Sequence, residues 1–296
     1  MLFCSAGVST ISALAVEKHQ FQTETKQLLD IVANALYTDR HVFVRELISN
    51  SSDACEKVRH KLVTGDRVVE AEGDLSIRMY TDDTEGTLTI IDNGIGMSRE
   101  EIVQNLGTIA HSGSKQFVET LKSQREAVSS GGSASNVIGQ FGVGFYSAFM
   151  VADEINVFSR SADPSQEGET LWHSIGDGAY DLQEADGMNR GTKIELKLKD
   201  SCRDFCNPST VEDIIKRYSN FVNFPIFLND KQVNTVQALW TLPRSEVTPE
   251  QYEEFYKYKA KAYDKPMMTL HFAADAPIEL KVLLFVGQVN EVRFCV

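Results

Sequence analysis

The sequence predicts an α+β fold: a two-layer sandwich of a mixed, mainly antiparallel sheet covered on one face by helices, followed by part of a second, α/β unit. Three observations predict it. Short β-branched runs cluster together, and so do amphipathic helical runs, without the regular strand–helix alternation of a parallel series. A chain of 296 residues with 42% hydrophobic content can bury one large core and part of another. After Asn234 the texture shifts to an aromatic-rich helical run and two further strand runs. The division expected is an unassigned segment 1–16, a first domain 17–235, the start of a second at 236–287, and a divergent tail 288–296.

Each element has a local cause. From Val42 to Leu62, the residues Phe43, Leu47, Ala54, Val58 and Leu62 form one apolar stripe at helical spacing. Leu75–Tyr80 and the β-branched run Thr87–Ile91 lie on either side of the turn Thr81–Gly86, and read as paired strands. Ser98 followed by Arg99, Glu100 and Glu101 supplies an N-cap and an acidic first turn for a helix over 99–106, with another over 114–125. Ser129-Ser-Gly-Gly-Ser-Ala-Ser135 interrupts as a flexible stretch. The loop Ile138-Gly-Gln-Phe-Gly-Val-Gly-Phe145 leads into an apolar run and is expected to open a helix. Strands follow at 154–159, 170–175 and 192–198, with a helix over 211–220. Thr248-Pro249-Glu250-Gln251 opens an aromatic-rich helix containing Tyr252, Phe255, Tyr256, Tyr258 and Tyr263, before strands at 267–273 and 278–286.

Three polar segments carry chemistry. Glu46-Leu-Ile-Ser-Asn50 places Glu46 and Asn50 four apart on the first helix, and Asp53 follows three later, so all three share a face with Cβ atoms roughly 5–6 Å apart. A carboxylate can orient and deprotonate a water, and a neutral amide oxygen suits a hard cation that keeps most of its waters. Asp92-Asn-Gly-Ile-Gly-Met97 ends a strand, where a carboxylate can accept from an exocyclic amine such as that of adenine while Gly94 and Gly96 let backbone approach a flat ring. Gly142, Val143, Gly144 and Phe145 form a glycine-rich loop where free N–H groups attract phosphate; it is neither a P-loop nor a dinucleotide fingerprint. Taken singly, the first two are also what a solvated helix face and an ordinary turn look like.

With the three in this order, the chain resembles the amino-terminal ATPase domain of the heat-shock protein 90 chaperones, within the gyrase, histidine-kinase and MutL ATPase superfamily. Phe21-Gln-Thr-Glu-Thr-Lys-Gln-Leu-Leu29, Asn105-Leu-Gly-Thr-Ile-Ala-His-Ser-Gly-Ser-Lys115 and Gln140 to Asp153 carry the resemblance further, from about His19 to about Gly287. Thr25–Ala33, Arg217–Val222, Ala262–Pro266 and Asp275–Pro277 look most like the mitochondrial branch. The resemblance implies that Glu46 activates the attacking water, that Asn50 coordinates Mg²⁺ on the phosphates of ATP, and that Asp92 holds the adenine amino group. It places Asp53, Gly96, Met97 and Thr192 around the base, Asn105 and Leu106 where the pocket wall leads into a mobile lid containing the 129–135 stretch, and Gly142, Val143, Gly144 and Phe145 at the phosphates. One departure is His111, where family members commonly carry Lys or Arg after Thr-Ile-Ala; a largely neutral imidazole would weaken a phosphate contact.

The resemblance implies an ATP-dependent chaperone that binds unfolded or partly folded clients, slowly hydrolyses Mg-ATP and forms a homodimer at full length, with a mitochondrial-matrix location or, alternatively, a cytoplasmic one. The rival readings are a nonhydrolysing nucleotide-binding or regulatory module, and a kinase- or topoisomerase-type enzyme, against which the absence of a phosphoacceptor His domain counts. In the resembled family the middle domain supplies an arginine that reaches the γ-phosphate; the resemblance fades at Gln288, so turnover by these 296 residues is expected to be slow or nearly absent. The formal charge of −13 argues against nucleic acid as the main partner, and no apolar run is long enough to span a membrane. Five cysteines with scattered spacing indicate neither zinc nor a disulfide framework, which fits a reducing compartment. Residues 1–16 are apolar and small but contain no Arg or Lys, which is poor for a secretory n-region and for an Arg-rich mitochondrial presequence, so they do not settle localisation.

Overall fold

The computed structural model describes residues 39–108, 142–166, 168–235, 238–260, 263–274 and 280–287, together with the backbone of 292–295. The expected helix at 114–125, the 129–135 stretch, His111 and the segment before residue 39 lie outside the described residues.

The expected long helix is α1 (Val42–Thr64), closed by Gly65 in the left-handed conformation at φ 82°. Phe43, Leu47 and Val58 are fully buried as the stripe requires, joined by Val44, Ile48 and Cys55. Leu62 departs from it at 41% exposure, because the last turn runs past the core. The strands β1 (Ile77–Asp82) and β2 (Thr87–Asp92) form an antiparallel hairpin that turns at Gly86, φ 67°. α2 (Arg99–Leu106) begins with a full capping box: Ser98 Oγ accepts from the Glu101 N–H, and the Glu101 carboxylate accepts from the Ser98 N–H at 2.8 Å.

After Gly142 the chain forms a 3₁₀ helix (Gly144–Met150) where an ordinary helix was expected. The run is short and every residue from Phe145 to Met150 is buried, so tertiary packing sets its winding. Then come β3 (Ala152–Arg160), β4 (Glu169–Ser174), β5 (Asp181–Ala185) and β6 (Gly191–Leu198). A 3₁₀ stretch (Asp200–Cys206) precedes α3 (Pro208–Tyr218), which Asn207 caps with Pro208 in its first turn, three residues earlier than the sequence suggests. The short strands β7 (Ile226–Leu228) and β8 (Lys231–Gln232) follow.

These strands make one eight-stranded sheet in the order β5-β4-β3-β6-β2-β1-β7-β8. Every pairing is antiparallel except β1 with β7. Alternate residues are buried on one face: Ile77 and Met79, Leu88 and Ile90, Ile155 and Val157, Ile194 and Leu196. They join the apolar residues of α1 and α3 in a single core. The expected α+β arrangement, with helices packed on a mixed sheet, is therefore present.

A second cluster is built by α4 (Pro249–Ala260) and an antiparallel sheet of β9 (Met268–Ala274), β10 (Leu280–Val286) and β11 (Val292–Cys295). Phe255, Tyr256, Leu283, Phe285, Leu239 and Val247 form its interior. Of the aromatic residues expected here, Tyr258 stands 42% exposed and Tyr263 fully exposed.

Asn234 pins the chain before this second cluster. Its Oδ1 accepts from the Ile226 N–H at 2.7 Å, and its Nδ2 donates to the carbonyls of Phe224 at 2.8 Å and Val222 at 3.2 Å. Asn234→Ala would leave buried backbone groups without these partners and should cost about 1–3 kcal/mol, read as a lower urea midpoint with an unchanged slope.

Candidate functional site

The site begins where three apolar strand stripes end in polar residues. Leu88 and Ile90 of β2 are followed on the same face by Asp92; Ile155 and Val157 of β3 by Ser159; Leu196 and Ile194 of β6, read backwards, by Thr192. Strand register sets these three side by side, Asp92 opposite Thr192 and Thr192 opposite Ser159. All are buried, Asp92 to 5% exposure. The result is a polar row across three neighbouring strands, on the face that elsewhere carries the core.

Hydrogen bonds fix the row. Ser159 Oγ donates to the Gly191 carbonyl at 3.1 Å, accepts from the Met97 N–H at 2.9 Å and lies 3.0 Å from Thr192 Oγ1. With the serine proton on the carbonyl, the threonine hydroxyl is the donor between the two. Asp92 Oδ1 accepts from the Gly94 N–H at 3.0 Å. Burial pushes the Asp92 carboxyl up to about 7, while hydrogen bonds from the Gly94 N–H, the Ser51 hydroxyl and the Thr192 N–H, and the charge of Arg190, pull against it.

The glycines after Asp92 are there for contact. A Cβ on Gly94 would come within 2.6 Å of the Ala54 backbone in α1, and one on Gly96, at φ 59°, would collide with the Arg160 carbonyl. The Ile95 N–H donates to the Ala54 carbonyl at 3.0 Å and the Ala162 N–H to the Ile95 carbonyl at 2.7 Å, so the turn is clamped between helix and sheet. Asn93 faces away from the row, with Oδ1 accepting from the Ser76 N–H and Nδ2 donating to the Asp74 carbonyl.

On α1, Asp53 is buried, Glu46 half-buried and Asn50 exposed, so the trio descends from solvent toward the sheet. Glu46 Oε1 takes two bonds from Arg45, at 2.6 and 3.3 Å. Its Oε2 faces the glycine loop, where a Cβ on Gly144 would lie 2.5 Å away. The structure thus brings together Glu46 and Gly144, which are 98 residues apart in the sequence. Phe145 does not face this gap: its buried ring packs edge-on against Trp172 at 5.6 Å, inside the core. Gly142 has φ 66°, and Val143 packs partly against the core. The 3₁₀ helix that follows has too few aligned peptide units for a large macrodipole, so any attraction for phosphate here rests on individual N–H groups.

Asn105 lies on the last turn of α2 with Nδ2 3.8 Å from Met97 Sδ, a weak contact. Leu106 is buried, and its carbonyl accepts from the Tyr146 hydroxyl at 3.1 Å, tying the end of α2 to the 3₁₀ helix. Ser51, Ser159 and Arg190 belong to the site but escape the sequence reading. Strict alternation from Ile155 would have put Ser159 on the core face; Ser51 and Arg190 leave no local signal. Among the described residues no three His, Cys, Asp or Glu side chains converge as a metal site, and Cys55, Cys202 and Cys206 are buried free thiols.

A mixed sheet carrying a buried carboxylate at a strand end, beneath a helix whose glutamate faces a glycine loop, defines an ATPase-type nucleotide-binding domain. A family model described as histidine kinase-, DNA gyrase B-, and HSP90-like ATPase matches residues 37–189, and one described as Hsp90 protein matches residues 227–295. The chain belongs to the heat-shock protein 90 family. It is 50% identical over 280 residues to the rat protein named heat shock protein 75 kDa, mitochondrial, covering 95% of this chain and 38% of that protein. It is 51% identical over 279 residues to the chaperone protein HtpG of Desulfitobacterium hafniense, covering 94% of this chain and 44% of that protein. It is 46% identical over 271 residues to the TNF receptor-associated protein 1 homolog, mitochondrial, of Dictyostelium discoideum, covering 91% and 37%. The chain therefore spans less than half the length of these relatives.

The raised Asp92 carboxyl has a consequence for the ligand-free domain. Below about pH 4 both folded and unfolded chains hold the proton; between the ordinary carboxylate value of 3.8 and about 7 only the folded chain does, so stability falls as pH rises, and above that the loss is complete. The full penalty is on the order of 4 kcal/mol. Urea unfolding of the parent and Asp92→Asn should show the variant gaining stability relative to the parent from pH 5 to pH 8, and a difference that stays flat over that range would contradict the assignment.

Proposed function

We propose that this chain binds ATP with Mg²⁺ and hydrolyses it slowly, as the nucleotide-binding part of an ATP-dependent chaperone acting on unfolded or partly folded proteins. The observation that carries the reading is the Asp92 row: a buried carboxylate presented beside glycine backbone, with nearby donors already holding it in place. Asp92 accepts from the exocyclic amine of adenine, and Thr192, Gly96, Met97 and Asp53 surround the base. Asn105 and Leu106 form the wall, and Gly142, Val143 and Gly144 present backbone to the phosphates. Phe145 anchors that loop from behind, as its packing on Trp172 supports.

The donor set fits a hard cation: the exposed Asn50 amide oxygen lies one helical turn from the Glu46 carboxylate, beside a loop with no room for a Cβ at Gly144. Bound Mg²⁺ supplies charge neutralisation at the phosphates. Glu46 Oε2 faces the loop while Oε1 is occupied by Arg45, so one carboxylate oxygen is left to orient the attacking water and take its proton. The family match favours hydrolysis over a nonhydrolysing module. A mitochondrial location follows by analogy with the names of the rat and Dictyostelium relatives, and a homodimer of the full-length protein is carried over from the family resemblance alone.

Two measurements test this. In calorimetry Asp92→Asn should lose ATP binding, because an amide offers one acceptor oxygen where the carboxylate offers two, and that oxygen cannot serve the surrounding donors and a base amine together. Parent-like binding by that variant would refute the pocket. Parent affinity should also fall as pH drops through 7, by up to about tenfold per unit, since the amine needs the ionised acceptor. Glu46→Ala should retain ATP affinity within about threefold while phosphate release, followed by a coupled assay, drops below detection.

A further inference from the structure

Arg190 is a buried arginine, at 4% exposure, immediately before the glycine that opens β6. Its Nε and Nη2 donate to the Asn93 carbonyl at 3.2 and 2.8 Å, and its Nη1 donates to the carbonyls of Glu70 at 2.9 Å and Val69 at 3.2 Å. Four of the five guanidinium N–H groups are thereby spent on backbone oxygens of two separate segments. The Arg190 N–H in turn donates to Glu70 Oε2 at 3.0 Å. A Cβ on the next residue, Gly191, would collide with the Asp92 carbonyl, so the arginine's own strand passes hard against the turn it grips. None of these guanidinium bonds is to a carboxylate; the charge interacts with the carboxylates of Glu70 and Asp92 through space.

We propose that Arg190 is the positioning residue for Asp92: it locks the turn after the strand by gathering the carbonyls of Asn93, Val69 and Glu70, and so holds the carboxylate that accepts from a base amine in place beside a cation. The proposal rests on the reading that Asp92 holds the base. The groups facing Asp92 are the Ser51 hydroxyl and Cys55 thiol from α1, the Gly94 N–H from its own turn, the Thr192 N–H from β6, and Arg190. Among these Arg190 is the cation. Glu70 and the burial of Arg190 act on the arginine in opposite directions, Glu70 favouring its charge. A lysine could supply charge here but not the planar fork that spans the two segments.

The test uses Arg190→Met, Arg190→Lys and Asn234→Ala, the last as a destabilised control outside the site. The Asp92 carboxyl is titrated in ligand-free protein by carbon-detected NMR, assigned with Asp92→Asn, and ADP affinity is measured by calorimetry from pH 6 to 8.5. Arg190→Met should move the Asp92 midpoint upward and weaken ADP binding at pH 7 about tenfold. Arg190→Lys should keep the midpoint near the parent, yet weaken binding at every pH and speed amide exchange at Gly94–Gly96. Asn234→Ala should alter neither readout.

An unmoved midpoint in Arg190→Met overturns the proposal. Should that variant fail to fold, Arg190→Lys decides, and parent-like affinity and exchange in it overturn the proposal equally. If ADP fails to bind even the parent, the base-holding role of Asp92 falls, while the ligand-free titration still decides whether Arg190 controls this carboxyl.

Discussion

The burial of one carboxylate governs the construction of this domain. A charged oxygen pair at 5% exposure is tolerated only where donors surround it, and Asp92 has the Gly94 N–H, the Thr192 N–H, the Ser51 hydroxyl and the field of Arg190. Each of those partners imposes its own condition. The Gly94 bond requires a tight turn directly after the strand, and that turn lies so close to α1 and the Arg160 carbonyl that positions 94 and 96 accept no side chain. The Thr192 bond requires β6 to run beside β2 in the observed register, which puts Ser159 of β3 next in line. A single desolvated group thus depends on strand order, turn geometry and helix placement together.

Helix α1 carries two duties on one cylinder. Its apolar stripe, Phe43, Leu47 and Val58, sinks into the sheet and sets the helix position through packing. Its polar face then has no freedom of its own: Ser51 meets Asp92, the Ala54 carbonyl takes the Ile95 N–H, and Glu46 faces Gly144. The site is preorganised because the groups that form it ride on elements the core already holds rigid.

What was legible in the sequence is what short-range patterns encode. The stripe of α1, the Ser98 capping box and the alternation in β2 and β6 are local signals, and the corresponding elements stand within a few residues of expectation. β5, β7, β8 and β11 were missed, since Asp181–Ala185 is mostly polar, β7 and β8 are only three and two residues long, and Val292–Cys295 is a four-residue run in what was expected to be a divergent tail. Their strand character comes from pairing with neighbours, which is tertiary information. The 3₁₀ winding of Gly144–Met150 was unreadable for the same reason. At the candidate site, Glu46, Asn50 and Asp92 could be nominated from the sequence because acidic and amide side chains at helical spacing or at a strand end are conspicuous. Arg190 was not, because its partners are carbonyls 97 to 121 residues away that carry no sequence signature.

The geometry also separates affinity from turnover. Asp92, Thr192 and Ser159 are buried within the sheet, coupled to one another and to the core, so any change there alters stability and ligand recognition at once. Glu46 and Asn50 stand on the outer part of α1, half-buried and exposed, and among the described residues the neighbouring Arg45 holds the glutamate. A partly exposed ion pair of this kind contributes little to stability, about 0–1 kcal/mol. In the proposed function the recognition end of the pocket is therefore the structurally constrained end, and the end assigned to water activation can be altered without unsettling the fold. A domain built this way can lose its chemistry by single substitutions and keep its ligand, whereas losing the ligand by substitution in the row disturbs the sheet that carries it.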